Sequence, residues 1–228
     1  MNKFCLFLLL FQLINCSNTP KKESKHIKLN IIKKQIQKKE AKIDLDLILN
    51  KDNSIPFLMR YGMENTEKKI RILTKFGDID IELFENTPYH RANFIYLTKK
   101  KYFNNTFFHR VVKGFIIQGG NSDNINTSKK RASIGKYLLP PDSKKDYKHH
   151  RGVISMPSSE IKNPHKLASP FEFFIVIQAP GAYHLDGHYT AFGKVINGLA
   201  VIDEISIQAT DNREAPIENI ILKIEIIN

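Results

Sequence analysis

From Lys69 onward, apolar and polar side chains alternate, and a period of two is the pattern of a half-buried β-strand. In the run GDIDIELF, Ile79, Ile81 and Leu83 alternate with acidic residues just after a turn at Gly77, which predicts a β-hairpin. Further strands are predicted at 107–111, 115–118, 153–156, 173–177, 190–195 and 217–227. Short, mostly antiparallel strands favour a closed β-barrel, because closure removes exposed sheet edges.

Two helical patterns interrupt the strands, from Thr87 to about Lys99 and from Gly198 to Ile205. A short helix, about Ile55 to Tyr61 with Ser54 as its N-cap, is predicted ahead of the strands. Residues 121–150 are polar and contain two adjacent prolines, so we expect a long loop there.

The segment FHRVVKGFIIQGG places Arg110 among aromatic and aliphatic residues and ends in Gln118 and two glycines. This combination suits rotation about an X–Pro bond, which crosses a barrier of about 18–20 kcal/mol without making or breaking a covalent bond. A fixed cationic donor can stabilise the pyramidal prolyl nitrogen of the transition state. Phe115 and Ile116 would hold the ring and exclude water. The alternative is an ordinary surface arginine on a strand.

This segment resembles the signature of the cyclophilin peptidyl-prolyl isomerases, and three later blocks resemble that family in order. They are RGVISMP from Arg151, FEFFIVI from Phe171 and HLDGHYTAFGKV from His184. The resemblance spans about Ile70 to the C-terminus. It implies a mainly β fold, a closed eight-stranded antiparallel barrel capped by two α-helices, with a substrate groove on the outer wall and an N-terminal extension.

The resemblance also implies residue roles. Arg110 becomes the catalytic donor, and Gln118 matches a glutamine that contacts the substrate backbone. The proline pocket is assigned to apolar residues, with the last on its floor or just beneath: Phe115, Ile116, Phe174, Leu185 and Phe192. Taken singly, each of these is more often ordinary core.

Some positions depart from the family pattern. Pro157 and Ser158 replace the usual Ala-Asn pair at the substrate edge, where backbone contacts can survive. Glu172 stands where the family usually has glutamine, and an ionised carboxylate only accepts hydrogen bonds. We hypothesise that Glu172 pairs with Arg110 and lowers turnover; the alternative is that Glu172 points away and is harmless.

His184 occupies the position where cyclosporin-sensitive members carry tryptophan, so we expect weak or no cyclosporin binding. Tyr189 replaces a histidine of many eukaryotic members but still offers a hydroxyl and an aromatic wall. The four-residue spacing of His184 and His188 would suit a metal only on a helix, and a turn-forming Leu-Asp-Gly lies between them. We therefore expect neither a metal nor a cofactor, and we expect His109 to be structural, because the reaction moves no proton.

The chain begins MNKFCLFLLLFQLINC, in which one lysine precedes a short apolar run, the layout of a signal peptide. The run ends in a sequence that resembles a bacterial lipobox, with Cys16 as the acylated residue, although Asn15 replaces the usual small residue. We predict a signal peptide over 1–15 and a lipidated tether over 16–53; simple secretion and an uncleaved anchor are the alternatives.

The net charge of +12 is concentrated in the tether, which carries ten lysines and four acidic residues between Lys21 and Lys51. Such a run can bind anionic lipid or nucleic acid, but a solvated tether is the preferred interpretation. No aromatic residues are interleaved in 21–42 for base stacking, so we expect no nucleic-acid partner. A helix and linker over 54–68 and the barrel over 69–228 complete the domain plan, and we expect a monomer.

These patterns predict an exported isomerase, lipid-anchored in a bacterial cell envelope at the periplasmic face or the outer membrane, that acts on proline-containing polypeptides. A second hypothesis is a proline-peptide binding module or chaperone with reduced turnover. A third is a membrane-surface or host-contact protein that works through the basic tether.

Overall fold

Eight antiparallel strands form a closed barrel in this computed structural model, which describes residues 43–142, 147–158 and 163–228. The strands are β1 Lys69–Thr74, β2 Gly77–Leu83, β3 Thr106–Val112, β4 Ile116–Asn121, β5 Val153–Ser155, β6 Phe173–Val176, β7 Ala191–Asn197 and β8 Ile220–Ile227. Their order around the barrel is β1-β2-β7-β5-β6-β4-β3-β8. The predicted fold class is confirmed.

The predicted hairpin forms between β1 and β2. Ile70 lies opposite Ile81 in the register, and both are fully buried in the core. Arg71 and Asp80, one residue along, face the other side, where the Arg71 Nε lies 2.7 Å from Asp80 Oδ1. The period of two thus separates a core face from a charged face.

The described residues contain four α-helices: α1 Ser54–Glu64, α2 Pro88–Lys99, α3 Ile125–Ile134 and α4 Leu199–Ser206. The two predicted within the barrel sequence, α2 and α4, are confirmed. The helix ahead of the barrel also forms, but Ser54 is its first residue and Asn53 is its N-cap, so the predicted cap was wrong by one position. None of the described helices is long and apolar enough to cross a membrane.

Helix α3 corrects the prediction of a long loop over 121–150. Its N-cap, Asn124, accepts a hydrogen bond from the Asn126 backbone N–H, and the chain leaves the helix at Gly135. Only Thr127 and Ile134 of the helix are buried, so its sequence carries no apolar stripe. A helix with so little buried surface cannot be recognised from hydrophobic periodicity.

The barrel interior is packed with aromatic rings. Phe94 of α2 lies 4.8 Å from Phe103 and 5.5 Å from Phe192 between ring centroids, and it meets Phe173 edge-on at 5.6 Å. Helix α2 therefore closes one end of the barrel, and its Phe94 ring is part of the barrel core. The substrate site predicted for this fold must then lie outside the barrel.

The described residues that precede the barrel pack on the rest of the domain. Leu49 is fully buried, and its backbone bonds to Ile134 and Lys136 at 2.7 and 2.9 Å. Gly135 permits this approach, because a Cβ there would lie 1.9 Å from the Leu49 carbonyl oxygen. One compact unit runs from Ile43 to the C-terminus, so residues 43–53 pack on the domain, although the sequence placed them in the tether. The predicted signal peptide, Cys16 and the rest of the tether lie outside the described residues.

Candidate active site

A second apolar cluster lies apart from the barrel core, and we call it the pocket cluster. Its buried members are Ile116, Phe174, Val176, Ala182 and Leu185, and Val112, Phe115 and Tyr189 pack at its edge. Alternation along the strands explains its position. On β6, Phe173 and Ile175 belong to the barrel core, whereas Phe174 and Val176 belong to the pocket cluster. The cluster therefore sits on the outer wall of the barrel.

Five of the residues predicted to bind substrate meet in this cluster: Phe115, Ile116, Phe174, Leu185 and Tyr189. The rings of Phe174 and Tyr189 meet edge-on at 5.7 Å, and Phe115 stacks on His184 at 5.2 Å. Phe192 is placed differently, because it is fully buried in the barrel core. Phe192 therefore lies beneath the surface, which is one of the two positions that the resemblance implied, on the pocket floor or just beneath it.

A bulge in β3 directs Arg110 toward this surface. Phe108 pairs with Gly119 and Arg110 pairs with Gln118, so two steps along β3 match one step along β4 and His109 is the extra residue. Phe108 is buried in the core, and without the bulge Arg110 would point the same way. The extra residue turns the guanidinium to the outer wall, where its Nη1 lies 3.5 Å from Gln118 Oε1.

The ion pair of Arg110 is with Glu214, in the connection before β8. Arg110 Nε and Nη2 lie 2.8 and 2.7 Å from Glu214 Oε2. Both side chains remain about two-fifths exposed, at 39% and 42%. Nothing in the sequence pattern marked Glu214, because it lies 104 positions from Arg110 in a short turn.

Glu172 does not pair with Arg110, which corrects the hypothesis made from the sequence. Its carboxylate accepts a hydrogen bond from Gln118 Nε2 at 2.9 Å and lies 3.4 Å from Arg131 Nη2 and 3.6 Å from His109 Nε2. Burial alone would raise the pKa of Glu172, but the bonds from His109 and Gln118 and the charge of Arg131 outweigh burial and lower it. Glu172 is therefore an ionised group that orients the Gln118 amide.

Arg131, the partner of Glu172, belongs to the unpredicted helix α3. Its Nε donates to the Tyr102 hydroxyl at 2.8 Å, and its guanidinium lies over the Phe171 ring at 5.2 Å. A planar guanidinium can bind a carboxylate and stack on a ring at once. Helix α3 thus supplies the positive charge that makes a buried glutamate tolerable beside the site.

Pro157 and Ser158 follow β5, whose Ser155 pairs with Phe174 of β6. The Pro157 carbonyl accepts a hydrogen bond from Ser169 N at 2.8 Å, and the Ser158 hydroxyl accepts one from Asn163 Nδ2 at 2.8 Å. These two hydrogen bonds hold Pro157 and Ser158 in place at the predicted substrate edge.

A buried hydrogen-bonded chain lies behind the pocket cluster. His149 Nδ1 is 2.8 Å from Asp186 Oδ1, and His149 Nε2 is 2.8 Å from Ser155 Oγ. The imidazole stacks on Phe174 at 6.3 Å. His149 and Ser155 have no exposed surface, so no substrate carbonyl reaches the serine, and the chain serves to position Phe174 and the turn at Asp186. No group of three His, Cys, Asp or Glu within the described ranges could hold a metal ion.

Acidification is expected to destabilise the fold through His149. Burial lowers the pKa of His149 from its ordinary 6.5, despite the opposing effect of Asp186. A neutral group of this kind contributes stability in full above the ordinary pKa and loses it as the pH falls toward the lowered pKa. We expect the free energy of unfolding to fall by up to about 1.4 kcal/mol per pH unit below about pH 6.5.

Denaturant titrations of the natural protein and His149→Gln between about pH 7.5 and 5 measure this effect. Both carboxylates near the site, Glu172 and Asp186, have a lowered pKa and stay ionised in this range. The free energy of unfolding of the natural protein should fall more steeply with decreasing pH than that of His149→Gln. Equal slopes for the two proteins would contradict the role assigned to His149.

Comparison with known proteins agrees with this architecture. A family model described as cyclophilin-type peptidyl-prolyl cis-trans isomerase matches residues 69–226. The chain is 37% identical over 156 residues to peptidyl-prolyl cis-trans isomerase-like 3 of Dictyostelium discoideum, covering 68% of this chain and 91% of that protein. It is 41% identical over 155 residues to peptidyl-prolyl cis-trans isomerase-like 2 of Rhizopus delemar, covering 67% of this chain but only 27% of that longer protein.

Solved structures give the same result. A crystal structure of a cyclophilin-type isomerase from Cryptosporidium parvum matches with a TM-score of 0.59 and 31% identity, covering 71% of this chain and 98% of that one. A second structure of that protein, in the presence of the dipeptide Ala-Pro, matches with a TM-score of 0.58 and 32% identity, covering 71% and 99%. The closed barrel, its outer pocket cluster and these matches together show that the chain belongs to the cyclophilin family of peptidyl-prolyl cis–trans isomerases.

Proposed function

We propose that this cyclophilin accelerates rotation about X–Pro bonds in exported polypeptides and thereby assists their folding. The observation that carries the proposal is the pairing of Arg110 on β3 with Gln118 on β4, next to an apolar pocket whose wall includes Ile116 and Phe174. A prolyl ring can enter such a pocket while its nitrogen faces a cationic donor.

The mechanism needs no proton transfer. The pocket cluster holds the pyrrolidine ring, and Arg110 donates a hydrogen bond to the prolyl nitrogen as the amide twists and its lone pair localises. The planar ground state offers no such lone pair, so the bond favours the transition state. Each increment of about 1.4 kcal/mol in this preference gives a tenfold rate.

Gln118 supports the neighbouring backbone of the substrate. One of its amide hydrogens is donated to Glu172, and its Oε1 faces Arg110. The second amide hydrogen remains for a substrate carbonyl. The Cryptosporidium parvum relative crystallised in the presence of Ala-Pro supports a proline-containing polypeptide as the partner of this surface.

Arg110→Ala should lower kcat/KM for an X–Pro peptide by at least about 100-fold, because the donor to the twisting amide is removed. Residues 17–228 are assayed by a protease-coupled or NMR exchange method. Arg71→Ala is the matched control, since Arg71 is bound to Asp80 on the β1–β2 hairpin. Full activity of Arg110→Ala would contradict the proposal.

The same assay addresses the second hypothesis, a binding module or chaperone with reduced turnover. That hypothesis was motivated by Glu172 and by the altered substrate edge at residues 157–158. The first motive is weakened, because Glu172 contacts Arg131 and Arg110 contacts Glu214. Binding of the peptide by the natural protein without detectable exchange would nevertheless favour it.

Weak or absent cyclosporin binding is part of the proposal. His184 stacks on Phe115 with a ring smaller than an indole, so the apolar face and the donor that tryptophan would supply are missing. We expect a dissociation constant above about 100 nM by calorimetry, that is, binding weaker than about −9.5 kcal/mol. His184→Trp should tighten binding at least about tenfold. A natural protein that binds below this limit would contradict the expectation.

Export and lipid anchoring are proposed from the N-terminal sequence alone. The family match begins at residue 69, so the similarity is independent of the first 16 residues. We propose that Cys16 is acylated and holds a monomeric enzyme at the periplasmic face or in the outer membrane of a bacterial envelope. The basic run after Cys16 then serves as a tether on the membrane surface.

Cys16→Ser should abolish incorporation of a labelled fatty acid and move the protein out of the membrane fraction of a double-membraned bacterial host. Cys5→Ser is the matched control, because Cys5 lies within the predicted signal peptide and should leave with it. Equal labelling of the natural protein and Cys16→Ser would show that the anchor is wrong. A chain starting at Ile43 keeps the segment that packs on the domain and removes the rest of the tether. If this chain loses a membrane or host partner, the tether hypothesis is supported.

A further inference from the structure

Glu214 lies at the rim of the site and is the ion-pair partner of Arg110, the residue on which the proposed reaction depends. We propose that Glu214 is a positioning residue: it holds one edge of the Arg110 guanidinium so that the other edge faces the twisting X–Pro bond. This inference rests on the proposed function and names a further residue that the activity requires.

The turn that carries Glu214 is closed by its own hydrogen bonds. Asp211 Oδ1 accepts from the backbone N–H groups of Arg213 and Ala215 at 2.8 and 2.9 Å. The Asp211 N–H donates to the Ala215 carbonyl at 2.9 Å, and the Glu214 N–H donates to the Asp211 carbonyl at 3.0 Å. The bonds from Ala215 and Arg213 lower the pKa of Asp211, so its carboxylate is ionised and a strong acceptor.

Glu214 itself has a backbone conformation that a non-glycine residue rarely adopts, with φ of 65°. Such a conformation persists where surrounding contacts determine it. Here the Glu214 carbonyl accepts the N–H of Val111, the residue after Arg110, at 2.7 Å. The turn is therefore fixed to β3 by its backbone at the point where the guanidinium leaves the strand.

The geometry of the ion pair divides the guanidinium into two edges. Glu214 Oε2 accepts a hydrogen bond from Nε at 2.8 Å and lies 2.7 Å from Nη2 in the ion pair. Nη1 lies on the other edge, 3.5 Å from Gln118 Oε1. An arginine has five N–H donors, so with Nε bound to Glu214 both Nη1 hydrogens remain for Gln118 and for the substrate.

A rival interpretation is that Glu214 masks the positive charge and inhibits the site. Both partners are about two-fifths exposed, and ion pairs of this exposure bind weakly in water. A weak pair cannot withhold the guanidinium from a substrate, but it can restrict the rotamers of a long side chain. The two interpretations predict opposite signs: loss of a masking group raises kcat, whereas loss of a positioning group lowers it.

The test compares Glu214→Ala and Glu214→Gln with the natural protein. Glu218→Gln is the matched control, because Glu218 lies in the same connection and pairs with the exposed Lys75. By NMR exchange on an X–Pro peptide, Glu214→Ala should lower kcat about tenfold with KM changed less than about twofold. Glu214→Gln, whose amide oxygen still accepts one N–H, should recover part of the loss. Glu218→Gln should match the natural protein.

A second readout is independent of turnover: the order parameter of the Arg110 Nε–H in ¹⁵N relaxation should fall in Glu214→Ala and remain high in Glu218→Gln. An unchanged order parameter, or a kcat that is unchanged or raised in Glu214→Ala, overturns the inference. If the natural protein itself shows no exchange, the proposed function fails, and the order parameter still decides whether Glu214 positions Arg110.

Discussion

The single extra residue in β3 is the constraint on which the site depends. Along a regular strand, Phe108 and Arg110 would share a face, and one of them would be misplaced. The bulge at His109 lets Phe108 fill the barrel while Arg110 reaches the outer wall beside Gln118. Gly119, opposite Phe108, belongs to the same arrangement, because a Cβ there would lie 3.0 Å from Phe173 and 3.2 Å from Phe108. The proposed catalytic surface and the barrel core therefore both use residues of β3 and β4.

The charges around the pocket are sorted into two separate pairs, Arg110 with Glu214 and Arg131 with Glu172. The separation matters because Glu214 already holds one edge of the Arg110 guanidinium. A second carboxylate, Glu172, would occupy the edge that the proposed mechanism leaves for the substrate. Instead the charge of Glu172 is balanced by Arg131 of α3. Glu172 and Arg110 are linked through the Gln118 side-chain amide. Replacing the usual glutamine by glutamate is thus tolerated because the chain supplies a second arginine.

The fold and the apolar half of the site were predictable from the sequence, because both follow from local patterns. Period-two alternation located the strands, and ordered motifs located Phe115, Ile116, Phe174 and Leu185, which do meet. Phe192 was expected on the pocket floor or just beneath it; residues in one motif can face opposite sides of a strand, and Phe192 faces the core.

The polar half was less predictable, for physical reasons. Helix α3 buries only two of its residues, so no apolar period revealed it, and without it the partner of Glu172 could not be named. Glu214 reaches Arg110 through a turn held by an exposed aspartate and a left-handed residue, features that have no hydrophobic signature. Long-range ion pairs depend on the relative placement of loops, and sequence periodicity carries no information about that placement.

The two halves of the site also differ in what holds them in place. The pocket rings are fixed by burial and by the chain of Asp186, His149 and Ser155 behind Phe174, so their geometry is tied to the stability of the barrel. The Arg110–Glu214 pair is exposed to water and is held by one turn, so its order can change while the barrel stays folded. In the proposed mechanism, binding of the prolyl ring therefore depends on global stability, whereas stabilisation of the twisted amide depends on a local contact. This separation is why kcat and KM should respond to different substitutions in this enzyme.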